Sequence, residues 1–292
     1  MFSRVKSKYA GPVLAGAACL FAGLAAVLSL GVAATPGAYA AKDGGSVPAN
    51  IPTAVSTVQP LCTVSFPDVR PGENPFYTYV RVLACRNIIS GYGDGTFRPN
   101  ANVTRGQLAK MVAASAGYTD AIPAGRWTFH DIAPGSTYWL YVERVAQHGV
   151  TSGYSCSGAS GSTEPCDEAN RRYFRPNEYV TRQQVAKMVS ASMDLTSHRA
   201  GLPPAVPTGT TLQYTFTDVP PSNTFNPYVE ALARLGSISG YNCGGTNPDT
   251  GQPEPCDAQG RKYFRPGSNM SRGQVSKVLA TTFYPDAVAS GQ

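Results

Sequence analysis

Three arginines break a local rule inside strings that otherwise repeat. Arg105, Arg182 and Arg272 lie in NVTRGQLAK (102–110), YVTRQQVAK (179–187) and NMSRGQVSK (269–277). In each string a hydroxyl residue, Thr104, Thr181 or Ser271, is followed three positions on by Gln107, Gln184 or Gln274, the spacing of a capping box at a helix start. Val103 and Leu108 have the spacing of a hydrophobic staple, as do Val180 and Val185, and Met270 and Val275. The arginine falls at the first helical position. There the helix dipole disfavours a cation by about 0.3–1 kcal/mol. Two chemistries would account for it. A guanidinium beside unpaired helix-start N–H groups would capture an anion, with bidentate geometry for a carboxylate or phosphate. Gly106 and Gly273, one position on, would then allow close backbone approach. Alternatively each arginine pairs with a local carboxylate such as Asp68, Asp131 or Asp218, or points into water. The recurrence of the arginine in blocks that have drifted elsewhere favours capture.

No other constellation points to a reaction, and the chain reads as a non-enzyme. His130, His148 and His198 sit on no G-x-S-x-G or H-E-x-x-H frame. His148 reads as a partner for the end of a helix dipole. There is no C-x-x-C and no histidine beside a cysteine, so no metal is expected, and no cofactor. Asp94 in GYGDGTF reads as a turn residue rather than a calcium ligand. Trp127, Trp139 and the 16 tyrosines could stack on sugars, with Trp139 read as core or half-buried. The formal charge is +6, without a basic run or an RNP-like aromatic string, so nucleic acid is not an expected partner.

Three blocks must position these residues. They open with FPDV (66–69), FHDI (129–132) and FTDV (216–219), pass through SGY (90–92, 152–154, 239–241) and reach FRP (97–99, 174–176, 264–266). The first helix of each block carries an apolar stripe: Phe76, Tyr79, Val80, Leu83; then Tyr138, Tyr141, Val142, Val145; then Val229 and Leu232. The second helix carries Leu108, Met111, Val112, matched by Val185, Met188, Val189 and by Val275, Val278, Leu279, always at i, i+3, i+4. One helix–loop–helix unit cannot bury both stripes alone, whereas three can pool them. The expectation is an all-α fold of six main helices in three pairs, with repeats at residues 64–119, 127–195 and 214–285.

Arg4, Lys6 and Lys8, the uncharged run 10–34 and the A-x-A pattern at 38–40 read as a secretory signal peptide over residues 1–40, with removal favoured over a retained anchor. Residues 41–63 are rich in Pro, Ala, Thr and Ser and read as a linker. The processed chain keeps 21 positive and 18 negative charges. Its six cysteines, an even number in an exported chain, read as disulfides. Spacing pairs Cys156 with Cys166 and Cys243 with Cys256, leaving Cys62 for Cys85. The first two close insertions between SGY and FRP, read as tied surface loops.

The blocks resemble S-layer homology modules, which run F-x-D-V, apolar helix, G-Y-x-D-G-x-F-x-P, T-R-A-E. FPDV, GYGDGTFRP and TRGQ fill the first; FHDI, SGY…YFRP and TRQQ the second; FTDV, SGY…YFRP and SRGQ the third. The resemblance covers about residues 64–285. It implies a pseudo-threefold helical unit whose grooves hold an exported protein to cell-wall polysaccharide, often acidic or pyruvylated, with the motif arginine on the anionic sugar. That role passes to Arg105, Arg182 and Arg272, with Thr104, Thr181, Ser271, Gln107, Gln184, Gln274, Gly106 and Gly273 around them. The family glutamate is replaced by glutamine, which makes these sites more positive, and D-G survives only at Asp94-Gly95. The expected location is the cell wall or cell surface. The alternative is a self-assembling surface-layer or sheath subunit, with copies of itself or other surface-layer proteins as partners. The lack of a catalytic or cargo segment after residue 285 adds weight to that alternative.

Overall fold

The first helices of the three blocks are α1 (Tyr77–Ala84), α3 (Trp139–Gln147) and α5 (Asn226–Arg234); the second helices are α2 (Arg105–Ser115), α4 (Arg182–Thr196) and α6 (Arg272–Phe283). They are seen in a computed structural model that describes residues 62–156, 163–196 and 214–291. The proposed signal peptide and all but the last two positions of the proposed linker lie outside the described residues. Among the described residues no helix is long and apolar enough to cross a membrane.

The helix starts follow the sequence chemistry. Thr104 and Ser271 each close a full capping box with Gln107 and Gln274. At α4 only half is made: Gln184 Oε1 accepts the Thr181 N–H at 3.0 Å, while the buried Thr181 hydroxyl has no partner. The helix ends are marked by left-handed residues, Asn87 after α1 and Gly117, Gly149 and Gly236 after α2, α3 and α5.

Every residue of the second-helix stripes is buried: Leu108, Met111 and Val112, then Val185, Met188 and Val189, then Val275, Val278 and Leu279. They are buried against neighbours rather than within their own pair. Helix α2 packs on α3 of the following block, α4 on α5, and α6 returns to α1, so the chain closes on itself. The segments preceding the second helices meet at the centre. There the Val103 N–H donates to Met270 O (3.0 Å), Met270 N–H to Val180 O (3.0 Å) and Val180 N–H to Val103 O (2.9 Å), a closed cycle of three. Val103, Val180 and Met270 are themselves buried.

Within each block the two landmark phenylalanines pack together, Phe66 with Phe97, Phe129 with Phe174 and Phe216 with Phe264, at 5.4–5.5 Å between ring centres. Phe97, Phe129, Phe174, Phe216 and Phe264 are fully buried, each contributing about 1.5–3 kcal/mol of transfer free energy. The glycine of each SGY is required by this packing: a Cβ at Gly91, Gly153 or Gly240 would run into the first phenylalanine of its block.

The fold is mostly helical, with two additions. A two-stranded antiparallel hairpin, β1 (Gly245–Thr246) and β2 (Pro253–Glu254), lies inside the insertion of the third block. A short helix, α7 (Pro285–Ala289), extends past residue 285 and packs on α1 and α6. There Arg81 Nη1 donates to Gly291 O at 2.8 Å. The three disulfides are those expected from spacing: Cys62–Cys85, Cys156–Cys166 and Cys243–Cys256.

Candidate functional site

Each motif arginine crosses to the next block. Arg105 Nε donates to Phe174 O at 2.7 Å, Arg182 Nε to Phe264 O at 2.6 Å, and Arg272 Nε to Phe97 O at 2.8 Å. Arg272 makes a second bond, from Nη2 to Ser90 O at 2.9 Å. All three side chains are buried, with exposures of 5, 7 and 8%. Each guanidinium also lies over two rings: Arg105 over Tyr154 and Phe174, Arg182 over Tyr241 and Phe264, Arg272 over Tyr92 and Phe97, at 4.4–5.0 Å from the ring centres. Loss of water pushes each guanidinium below the ordinary arginine pKa, though guanidinium remains charged in proteins.

The carboxylate-pairing alternative does not hold. Asp68 accepts the N–H groups of Phe97 and Arg98, Asp131 those of Phe174 and Arg175, and Asp218 those of Phe264 and Arg265, at 2.6–2.9 Å. The aspartate of each opening motif therefore stabilises the FRP turn, whose arginine has a left-handed backbone in all three blocks, φ 57°, 60° and 58°.

The picture of an anion held on open helix-start N–H groups also needs correcting. The Arg105 and Gly106 N–H groups donate to Glu178 O and Pro176 O; those of Arg182 and Gln183 to Ser268 O and Pro266 O; those of Arg272 and Gly273 to Ala101 O and Pro99 O. The next N–H groups at α2 and α6, those of Gln107 and Gln274, go to the capping hydroxyls. Nor do the two glycines admit a ligand. A Cβ on Gly106 would overlap the Tyr138 ring, and one on Gly273 the Phe76 ring. Those positions are small so that the next block's first helix can pack against them.

A second arginine shares each tyrosine. Arg98, Arg175 and Arg265 lie over Tyr92, Tyr154 and Tyr241 at 4.2, 4.1 and 3.9 Å. These arginines do have acid partners: Asp94, Glu164 and Glu254, each at 2.8 Å. Hydrogen bonding to those carboxylates raises the pKa of all three arginines. The acid comes from the D-G turn in block one and from the disulfide-tied insertion in blocks two and three. The tied loops therefore have a structural task that the surface-loop reading missed. Its trace in the sequence is the string EPCD, present at 164–167 and again at 254–257. Its last residue, Asp167 or Asp257, binds Arg171 or Arg261. Those arginines lie over Trp127 at 4.1 Å and Tyr214 at 3.8 Å.

Two grooves open beside the motif arginines. One, of about 220 Å³, is lined by Ser90, Gly91 and Tyr92, by Gln107 and Lys110 of α2, by Tyr138 and by Arg272. The other, of about 200 Å³, has the matching set: Ser239, Gly240, Tyr241, Gln274 and Lys277 of α6, Phe76 and Arg182. No carboxylate lines either groove. Each brings together three blocks, and each holds one arginine, one lysine and one glutamine. The glutamines thus serve both the cap and a groove wall. Gln184, in the second block, donates to the Tyr154 hydroxyl at 2.9 Å. The lysines went unassigned in the sequence, although Lys110, Lys187 and Lys277 close the very strings that carry the arginines, and the tyrosines were read only collectively, as rings that could stack on sugars.

The histidines have local roles. His148 is the C-terminal cap residue of α3; its Nε2 lies 2.7 Å from Asp120 and its ring stacks on Tyr118. His130 meets Asp167, and His198 lies outside the described residues. Trp139 is half-buried and donates from Nε1 to Arg126 O at 2.8 Å; Trp127 is 38% exposed.

Two segments, residues 65–109 and 215–249, match the S-layer homology domain family. The first takes in α1 and the start of α2 with Arg105; the second takes in α5 and the SGY loop of block three. Among relatives, an endoglucanase of Bacillus sp. (strain KSM-635) is 28% identical over 121 residues, 40% of this chain and 11% of its own length. A cellulosome-anchoring protein of Acetivibrio thermocellus is 32% identical over 73 residues, 22% of this chain and 16% of its own. An amylopullulanase of Thermoanaerobacterium thermosulfurigenes is 23% identical over 131 residues, 45% of this chain and 6% of its own. The chain thus spans a sixth or less of the length of each.

Proposed function

We propose that this protein attaches to the cell surface by binding an anionic cell-wall polysaccharide in the grooves between its blocks. The S-layer homology match and the similarity to a cellulosome-anchoring protein support surface attachment. The observation that carries the polysaccharide reading is the desolvated guanidinium of Arg182 or Arg272 at a groove with no carboxylate in its lining and a lysine nearby. In so dry a setting a charge-assisted bond to an acidic substituent is strong. The role of the arginine is thereby shifted: its terminal nitrogens, only Nη1 in Arg272 because Nη2 holds Ser90 O, meet the ligand, while the helix-start N–H groups hold the neighbouring block. Pyruvylated sugars are the first candidates, and a signal peptide over residues 1–40 would deliver the chain. In this reading the blocks at 64–119, 127–195 and 214–285 are three modules in pseudo-threefold order, and the chain works as an anchor without catalysis.

The test is sedimentation of the purified chain with cell walls, before and after chemical removal of acidic substituents. Lys110→Ala and Lys277→Ala should weaken binding without lowering Tm, and added salt should weaken it further. Equal sedimentation with intact and de-acidified wall would refute the reading. Ordered assembly of the chain without wall would favour a structural subunit instead.

A further inference from the structure

A third cavity, of about 340 Å³, is larger than either groove and belongs to the insertion of block three. It lies between the β1–β2 hairpin and the residues that follow FRP. Its character is opposite to that of the grooves. Its lone cation, Arg265, is neutralised by a bidentate contact with the buried Glu254, Nε to Oε1 at 2.9 Å and Nη2 to Oε2 at 2.8 Å. Asp218 is occupied by two backbone N–H groups. Asp249 and Gln252 line the cavity with side chains that make no hydrogen bond among the described residues, and both residues are exposed. Pro253, Tyr263 and Pro266 add apolar surface.

We propose that this cavity binds a neutral saccharide unit. The carboxylates in the lining exceed the cations, so an acidic sugar is repelled. Apolar ring and proline surface suits the C–H face of a pyranose, while a free carboxylate and amide at the rim suit its hydroxyls. The hairpin is held in place by the Cys243–Cys256 bridge and the Glu254–Arg265 pair, so the rim is organised before a ligand arrives. This site shares no lining residue with the grooves and does not rest on their reading.

Saturation-transfer NMR on the full chain tests it, using four uncharged probes: cellotetraose, chitotetraose, mannotetraose and a β-galactan tetramer. At least one should receive saturation. That signal should vanish in Asp249→Ala and in Gln252→Ala at unchanged Tm, and persist in the Lys110→Ala, Lys277→Ala double variant. Transfer to none of the four, or transfer that survives both rim substitutions, overturns the proposal. Wall sedimentation of the same rim variants separates this outcome from failure of the groove reading, because only the groove variants address the acidic substituents.

Discussion

Replacing Arg272 with alanine should destabilise the fold, contrary to what its place in a first helical turn suggests. Judged on the helix alone, removing a cation from that turn would help by a few tenths of a kcal/mol. The structure reverses the sign. Arg272 is 8% exposed and donates to Phe97 O and Ser90 O, which lie 175 and 182 positions away in the chain. Hydrogen bonds from a charged donor contribute about 1.5–3 kcal/mol each, and the contacts with Tyr92 and Phe97 about 0.5–2 kcal/mol. These net contributions are not additive, and the carbonyls left behind regain part of their bonding from water, so the loss expected is about 2–4 kcal/mol. For a unit of this size that is roughly a 5–15 °C fall in Tm. Arg105→Ala and Arg182→Ala each remove one such bond to a carbonyl, and should lose about half as much. Arg272→Lys should recover little, because an ammonium cannot match the planar fork that reaches one carbonyl through Nε and another through Nη2. Urea denaturation of the four variants, with wall sedimentation in the cold where all remain folded, measures both roles. An unchanged midpoint for Arg272→Ala would refute the assignment of the arginine as a clasp between blocks.

Gly106→Ala and Gly273→Ala should each destabilise by about 1–3 kcal/mol through overpacking against Tyr138 and Phe76, read as a lower urea midpoint; wild-type midpoints would show that the rings yield. Loss of the Cys243–Cys256 bridge, whose partners are 13 positions apart, should lower stability by about 2–3 kcal/mol and remove the neutral-sugar signal proposed above, both measured on the double serine variant. Acid should weaken the turns of all three blocks. Hydrogen bonds to Thr96 and Arg98 hold Asp94 well below the usual carboxylate range, those from Arg171 hold Asp167 at about 2, and those from Arg261 hold Asp257 lower still. A depressed carboxylate contributes stability that is complete above its unfolded pKa of about 3.9 and is lost as pH falls through the folded value. Melting temperature should therefore fall between pH 4 and 2, less steeply in Asp167→Asn; a slope unaltered by that substitution would remove Asp167 from the account.

The helices, their stripes and the disulfides were legible because each depends on spacing along a few turns of chain. Leu108, Met111 and Val112 announce a buried face without reference to any partner. Thr104 and Gln107 announce a cap in the same way. The partners of the arginines were not legible. Arg105 finds its carbonyl 69 positions on and Arg182 finds its own 82 positions on, and no periodicity marks a bond to a backbone atom, since every residue has one. Gly106 was misread for a related reason. A small residue shows that something approaches closely, but not whether it is a ligand or the Tyr138 ring. The carboxylates of the tied loops were hidden behind their cysteines. Cys166 and Cys256 drew attention as bridge partners, although the Glu and Asp of the EPCD string around each of them fix two arginines.

These long-range partners bear on how binding and folding are joined. Each groove takes its tyrosine and lysine from one block, its packing aromatic from a second and its arginine from a third, so no block owns a site. The bonds that complete a groove are also those that close the chain: Arg272 reaches Phe97 while the Arg272 N–H reaches Ala101 and α6 packs on α1. Opening that closure would expose apolar stripes and dismantle the groove at Tyr92 in one event. A guanidinium that served only a ligand would gain from exposure. One that served only the fold would be cheaper as an apolar side chain of like volume, because a buried charge is a poor source of stability. Under the proposed function, Arg182 and Arg272 would meet both demands. Nε is committed to the neighbouring block, the rings hold the plane, and the nitrogens left over, Nη1 in the case of Arg272, would keep a charge at a groove with no carboxylate in its lining.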